Sequence, residues 1–224
     1  MKRESVTIDD VKANPVVEAY IKAGNDHLGA LGFTDHGLRH AGLVSTIAKT
    51  LLWKLGFSER EQELAAIAGY LHDIGNVVSR YYHAQVGAAL AERILSDMGM
   101  DPDEIAIVMG AIGSHDPEEE CHAVSNVSAA VILADKSDVH RSRVRNPDIH
   151  NFDVHDRVNY AATKSFLEAK NDEKVISLQL IIDTGIAPVM EYFEIFLTRM
   201  IACKRAAEFL GATFELKIND IRLL

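Results

Sequence analysis

The sequence predicts a mainly α-helical protein that ends in a small β-β-α-β region. Three observations carry this. Apolar residues recur at helical spacing through the first two thirds of the chain, cap and stop residues punctuate those segments, and period-two alternation appears only after Pro147. The 224 residues are 48% hydrophobic and 25% charged, enough apolar content for a packed core.

Asn14-Pro15, a cap with proline at the first helical position, opens a helix that runs to about residue 31. Gly32 and FTDHG break the chain. A second helix over about 38–55 carries Leu43, Val44, Ile47, Leu51 and Leu52 at helical spacing, and Gly56 stops it. Ser58 and Glu61 form a capping box for a third, which holds Leu64, Ile67, Ala68 and Leu71 and ends near His72-Asp73. A fourth covers about 81–98, and Asp101-Pro102 starts a fifth that reaches about Ser114. After HDPEEECHAVS a sixth covers about 126–143. From about 157 to 182 two strands flank the turn residues Asn171-Asp172, and VISLQLIID has the β-branched content of a strand. An apolar helix over about 187–210 closes at Gly211, and ATFELKI alternates like a last strand.

A net charge of −10 argues against a duplex nucleic-acid partner, which needs a basic face to displace counterions. It leaves room for a small anionic substrate, because bound cations reverse the local potential. Cys121 and Cys203 lack metal-type spacing and fit a reduced compartment. MKRESVTIDD lacks a signal peptide's apolar segment, and no apolar run approaches the ~20 residues that span a bilayer, so a cytoplasmic address and no membrane partner are expected.

The ten histidines are the informative residues. His40 falls in the first turn of the second helix, His72-Asp73 close the third, His83 opens the fourth, His115 follows the fifth and Asp135 lies in the sixth. A helical bundle can aim such residues at one central site. Imidazole with carboxylate suits divalent Fe, Mn, Ni, Co or Zn. A lone helical His or Asp is usually an ordinary core or surface residue. The adjacent pair at the end of an apolar helix is different, because Asp73 would be costly to bury without a cation.

AGYLHDIGN resembles the signature of the HD superfamily of phosphohydrolases. HGLRHAGLVSTIA is similar to its first-histidine motif and AAVILADKSD to its terminal aspartate motif, so the resemblance spans about 33–145. It implies an HD-domain helical bundle in residues 1–150, a C-terminal β-β-α-β region in 151–224, and one metal on His40, His72, Asp73 and Asp135. A subset with two further histidines binds two divalent transition metal ions, and it implies a second ion on His83 and His115 with Asp73 bridging. YYHAQVGAAL around His83 looks like both the symmetric dinucleoside-tetraphosphate hydrolases and the HD-GYP phosphodiesterases. No GYP-type motif follows the HD pair, and Asp116 stands where HD-GYP enzymes have a second histidine, so neither subfamily is assigned.

The implied reaction is in-line attack by an activated water on a phosphate ester or anhydride of a nucleotide or similar small metabolite. Asp73, His36, Asp116 and Lys136 are the candidate catalytic residues. Lys136, Asp138 and Arg143 are candidates for holding substrate, Arg143 as part of the run Arg141, Arg143 and Arg145. The plain alternatives are turn-capping for His36 and Asp116, a surface pair for Lys136 and Asp138, and helix-dipole pairing for the arginines. Asp138 is also placed to orient a ligand histidine. The stripe Val189, Met190, Phe193, Phe196, Leu197 and Ile201 either covers its own sheet or makes a homodimer. Two other functional classes fit the ligand types: a di-iron oxygenase similar to myo-inositol oxygenase, and a sensor without turnover.

Overall fold

The computed structural model describes residues 5–116 and 122–224. Among these, the helices are α1 (Ile8–Ala13), α2 (Pro15–Ala30), α3 (Leu38–Lys54), α4 (Glu59–Leu71), α5 (His83–Asp97), α6 (Pro102–Gly113), α7 (Asn126–Ser137), α8 (Val154–Ala161) and α9 (Val189–Phe209). The strands are β1 (Ala162–Lys170), β2 (Val175–Ile182), β3 (Thr213–Ile218) and β4 (Ile221–Arg222). The mainly helical class with a C-terminal sheet is the one the sequence predicts. No described helix is long and apolar enough to cross a membrane. Cys121 and the rest of 117–121, within the expected loop HDPEEECHAVS, lie outside the described residues.

Most helix starts follow from the cap chemistry. Asn14 accepts from Val16 N, Ser58 and Glu61 form both bonds of a capping box, and Asp101 accepts from Asp103 N ahead of Pro102. α4 and α7 are the central helices, since residues 64–71 and 127–134 are buried without a break. A helix that is apolar all round has to be enclosed. α3 and α6 pack on both, α5 packs on α6, and α9 packs on α7.

The sheet order is β1-β2-β3-β4, with β2 and β3 parallel and the other neighbours antiparallel. Parallel strands need a crossover, and α9 supplies it. α9 touches β3 as well as α7, so it ties the sheet to the bundle. That contact brings a C-terminal helix beside the helix that carries Asp135.

Three expectations need correction. The helix expected to reach residue 143 stops at Ser137, where Ser137 Oγ donates to Ala134 O and the Asp138 carboxylate turns to His40. Polar side chains that bond locally compete with helix continuation. His140 then caps a separate 3-10 turn, Arg141–Arg143, so the arginines do not sit on a helix C-terminus. The first strand does not begin near Arg157, because Asp153 accepts from Asp156 N and starts α8, which delays β1 to Ala162. α1, capped by Thr7 and Asp10, was not anticipated, nor was the two-residue β4.

Candidate metal centre

The six candidate ligands stand at helix ends and meet in one place. His40 lies in the first turn of α3, His72 is the residue on which α4 ends, His83 is the first residue of α5, and Asp135 is in the last turn of α7. His115 follows α6, two residues past its end. All four imidazoles are buried.

The atoms sort into two adjoining groups around Asp73. In one, His40 Nε2 is 3.2 Å from His72 Nε2 and 3.3 Å from Asp135 Oδ1, and His72 Nε2 is 3.3 Å from Asp73 Oδ2. In the other, His83 Nε2 is 3.2 Å from His115 Nε2 and 3.2 Å from Asp73 Oδ1. Each carboxylate oxygen of Asp73 thus belongs to a different group. The groups also touch, since ligand atoms of His72, His115 and Asp135 lie within 4.8 Å of one another.

The outer nitrogens fix which atom each ring offers. His72 Nδ1 faces Gly69 O at 2.8 Å, His83 Nδ1 faces Arg80 O at 3.0 Å and His115 Nδ1 faces Ile112 O at 2.6 Å. His40 Nδ1 faces Asp138 Oδ2 at 2.7 Å. Carbonyl and carboxylate oxygens only accept, so each Nδ1 carries the proton and each Nε2 of a neutral ring is a lone pair. Two Nε2 atoms 3.2 Å apart need a proton or another cation between them. Two nitrogens each ~2.0–2.1 Å from one ion stand roughly this far apart. The residues present therefore fit divalent metal.

The electrostatics point the same way. Burial alone would raise the Asp73 carboxyl, but the charge of His72, with the His115, His72 and His83 rings ranged around its oxygens, holds it well below the usual carboxylate range. Burial likewise opposes ionisation of Asp135, and Lys136, His40 and His72 hold it down. Burial should depress His72, yet Asp73 and Asp135 push it up to about 10. Burial brings His115 down to about 4. The two carboxylates thus create a strong demand for a cation between the histidines.

The surrounding backbone is built for close approach. A Cβ on Gly75 would stand 2.0 Å from His83 O and 2.6 Å from Gly87 N, so only glycine lets the Asp73 turn lie against the start of α5. Gly87 is itself 3.3 Å from Ile112 Cγ2 on this measure, and Gly110 is 3.3 Å from Val124 Cγ2. Tyr82, just before His83, has φ 59°, a left-handed conformation uncommon for a bulky residue. Asn76, in the HDIGN run, donates from Nδ2 to Asp73 Oδ1 at 3.0 Å and fixes that carboxylate.

The remaining candidates divide. The Lys136 ammonium contacts Asp135 Oδ2 and is buried, so it offsets the charge of a candidate ligand and does not line the open cleft. Asp138 was counted among the substrate contacts; it is instead buried behind His40, with Arg39 Nη2 at 2.9 Å on the same oxygen. Burial opposes its ionisation, but the His40 hydrogen bond and the charges of Arg143, His40 and Arg39 hold it well below the usual range. Asp116 lies 3.3 Å from His83 Nδ1, the side of the ring away from the convergent nitrogens, which is an orienting place and not a proton-transferring one. His36 lines a cleft of about 550 Å³ beside the cluster, its ring 5.5 Å from that of His40. Its Nδ1 faces Thr34 O at 2.7 Å, and burial, with Arg143 next, holds it well below its ordinary value.

Arg143 lines the same cleft, anchored through Nε to Asp35 O at 3.1 Å and Nη1 to Asp138 O at 2.8 Å. Arg141 stacks on Tyr160 and Arg145 bonds Asn25, so neither lines that cleft. Sequence reasoning missed several residues of the cleft, among them Asp153, Asp156 and two arginines. Arg80 had a usable signal, its place three residues before His83. Arg199, in α9, had none. On the α9 stripe, Phe196 is buried while Met190, Leu197 and Ile201 are exposed.

Fold and site together define a helical domain organised around buried histidine and aspartate. Residues 37–140 match the model of the HD domain, and this segment is where the six candidate ligands lie. It is 28% identical over 208 residues to the uncharacterized protein MJ1020 of Methanocaldococcus jannaschii, covering 82% of this chain and 79% of that one, so the similarity runs past the HD segment. It is also similar, at 23% identity and a TM-score of 0.43, to the crystal structure of a "predicted HD superfamily hydrolase" from an uncultured Thermotogales bacterium, over 56% of this chain and 67% of that chain.

Proposed function

We propose that the protein is a metal-dependent hydrolase of phosphate esters or anhydrides, acting on a nucleotide or similar small phosphorylated metabolite. One observation carries this reading: four Nε2 atoms and two ionised carboxylates converge on one space beside an open cleft, and the carboxylates hold His72 protonated where a metal cation could take the proton's place. In this reading His40, His72, Asp73 and Asp135 hold one divalent ion, and His83, His115 and Asp73 hold a second. Such ions would supply Lewis acidity toward a phosphoryl oxygen and a lowered pKa for water.

The protein's own groups do the rest. Asp73 sets the two groups side by side by offering one oxygen to each. The Lys136 ammonium holds the second oxygen of Asp135 and lowers the negative charge of the site. His36, neutral and with Nδ1 committed to Thr34, has Nε2 left to accept a proton at the cleft. Asp138 fixes the tautomer of His40.

The test is a phosphatase and phosphodiesterase screen with Mn, Co, Ni, Zn and Fe under anaerobic conditions, with metal content measured in parallel. Asp73→Ala should lose metal from both groups and all turnover, while His83→Ala should lose more of the second ion than of the first. Full turnover by Asp73→Ala would refute the mechanism. Turnover that depends on dioxygen would move the protein to the oxidative class.

A further inference from the structure

The cleft beside the ligand cluster gathers three arginines and two aspartates, Asp153 and Asp156, and neither aspartate pairs with an arginine among the described residues. Three guanidinium groups line it: Arg80 from the turn before α5, Arg143 from the 3-10 turn after α7, and Arg199 from α9. Of these, Arg143 has a carboxylate within 4 Å, Asp138 at 3.7 Å, and that carboxylate already serves His40 and Arg39. Arg80 lies over the Phe33 ring with Nη1 3.4 Å from His83 Nε2, and makes no ion pair among the described residues.

Arg199 makes neither an ion pair nor a hydrogen bond among the described residues; its stem stacks on Phe196 with the guanidinium carbon 4.7 Å from the ring centre. Burial lowers its pKa, and the fields of Asp135 and Asp116 as well as those of Arg143 and Arg80 reach it. Arg80 and Arg199 face this partly enclosed space without a carboxylate within 4 Å among the described residues, so an anion entering it can pair with both. Guanidinium is suited to that anion when it is a phosphate, since its planar fork matches two oxygens.

We infer that Arg199, with Arg80 and Arg143, recognises the doubly charged terminal phosphoryl group of the substrate, and that the protein thereby prefers phosphomonoesters or terminal anhydrides over internal phosphodiesters. The inference rests on the hydrolase reading above and deepens it. A monoester phosphate carries close to two charges at neutral pH, and an internal diester carries one. Two guanidiniums without carboxylate partners match the former. The recognising group comes from α9, outside the HD segment of 37–140.

The experiment compares p-nitrophenyl phosphate with bis(p-nitrophenyl) phosphate on the manganese-loaded full chain. Arg199→Met keeps the apolar stem against Phe196 and removes the charge. It should lower kcat/KM for the monoester about 10–100-fold, mostly through KM, the scale of one charge-assisted hydrogen bond. Inhibition by inorganic phosphate should weaken by the same factor, the diester should lose much less, and metal content should stay constant. Arg199→Lys should recover part of the loss. Equal losses on both esters, or none on the monoester, would overturn the inference and leave the hydrolase reading standing. Should the wild type cleave neither ester nor any substrate of the wider metal screen, the hydrolase reading fails. Calorimetry of inorganic phosphate on manganese-loaded and chelator-treated protein then tests Arg199 alone: weaker binding by Arg199→Met upholds its role, and equal binding removes it.

Discussion

The ligand cluster and the cleft beside it are assembled in different ways. In the cluster, three of the four imidazoles are held by the carbonyl three residues back, Gly69 for His72, Arg80 for His83 and Ile112 for His115. Each such ring is oriented by its own helix end, and the helices only have to meet. The cleft has no such local frame. His36, Arg80, Arg143 and Arg199 come from four separate segments, and Arg199 arrives only because α9 packs on α7. Local anchoring gives a rigid centre, whereas assembly from distant parts lets recognition change without disturbing it.

The largest expected effect breaks the centre at its tightest point. Gly75→Ala places a Cβ 2.0 Å from the His83 carbonyl, a backbone atom that cannot step aside. Overpacking of that kind costs about 3 kcal/mol or more. Gly42→Ala is the control, a glycine inside α3 with nothing within 4 Å of the added carbon. It should gain up to about 1 kcal/mol from helix propensity. Denaturant unfolding of both variants decides the point, and comparable stability in the two would show that Asp73 and His83 do not depend on this contact.

That difference between cluster and cleft also explains what the sequence reveals. The adjacent pair His72-Asp73 is visible because it closes an apolar helix, where a carboxylate is costly to bury without a partner. The capping residues Asn14, Ser58 and Asp101 are legible because their bonds reach two or three residues. The end of α7 was hidden, because the apolar periodicity gives no warning that Asp138 will leave the helix to meet a histidine 98 positions earlier. Helix α8 was missed although Asp153 and Asp156 stood at cap spacing. Arg199 looks like any helical arginine. Only the crossover between two parallel strands sends it to the cleft.

Asp138 is the one place where the centre relies on a distant anchor, and it supplies an intermediate effect. Asp138→Asn keeps an oxygen that can accept from His40 Nδ1 but removes the charge that also holds Arg39. Loss of such a partner lowers metal affinity about 10–100-fold. If two ions bind as proposed, competition with a chelator should show that loss for the one assigned to His40 and His72, with little change for the one assigned to His83 and His115. A uniform loss would mean that the two groups behave as one unit.

The smallest effect concerns the strain next to His83. Tyr82 holds φ 59° while its side chain is 70% exposed, so the left-handed turn gains little from burying the ring. The left-handed region costs a residue with a Cβ about 1–2 kcal/mol, and glycine escapes that cost but loses more chain entropy on folding. The two terms nearly offset, leaving Tyr82→Gly more stable by up to about 1 kcal/mol, or a Tm rise of about 2–4 °C for a chain of this size. Tyr82→Ala keeps the Cβ and should show no gain. If glycine instead lowers both Tm and metal affinity, the exposed tyrosine is fixing the start of α5, and even the locally anchored centre borrows order from its surface.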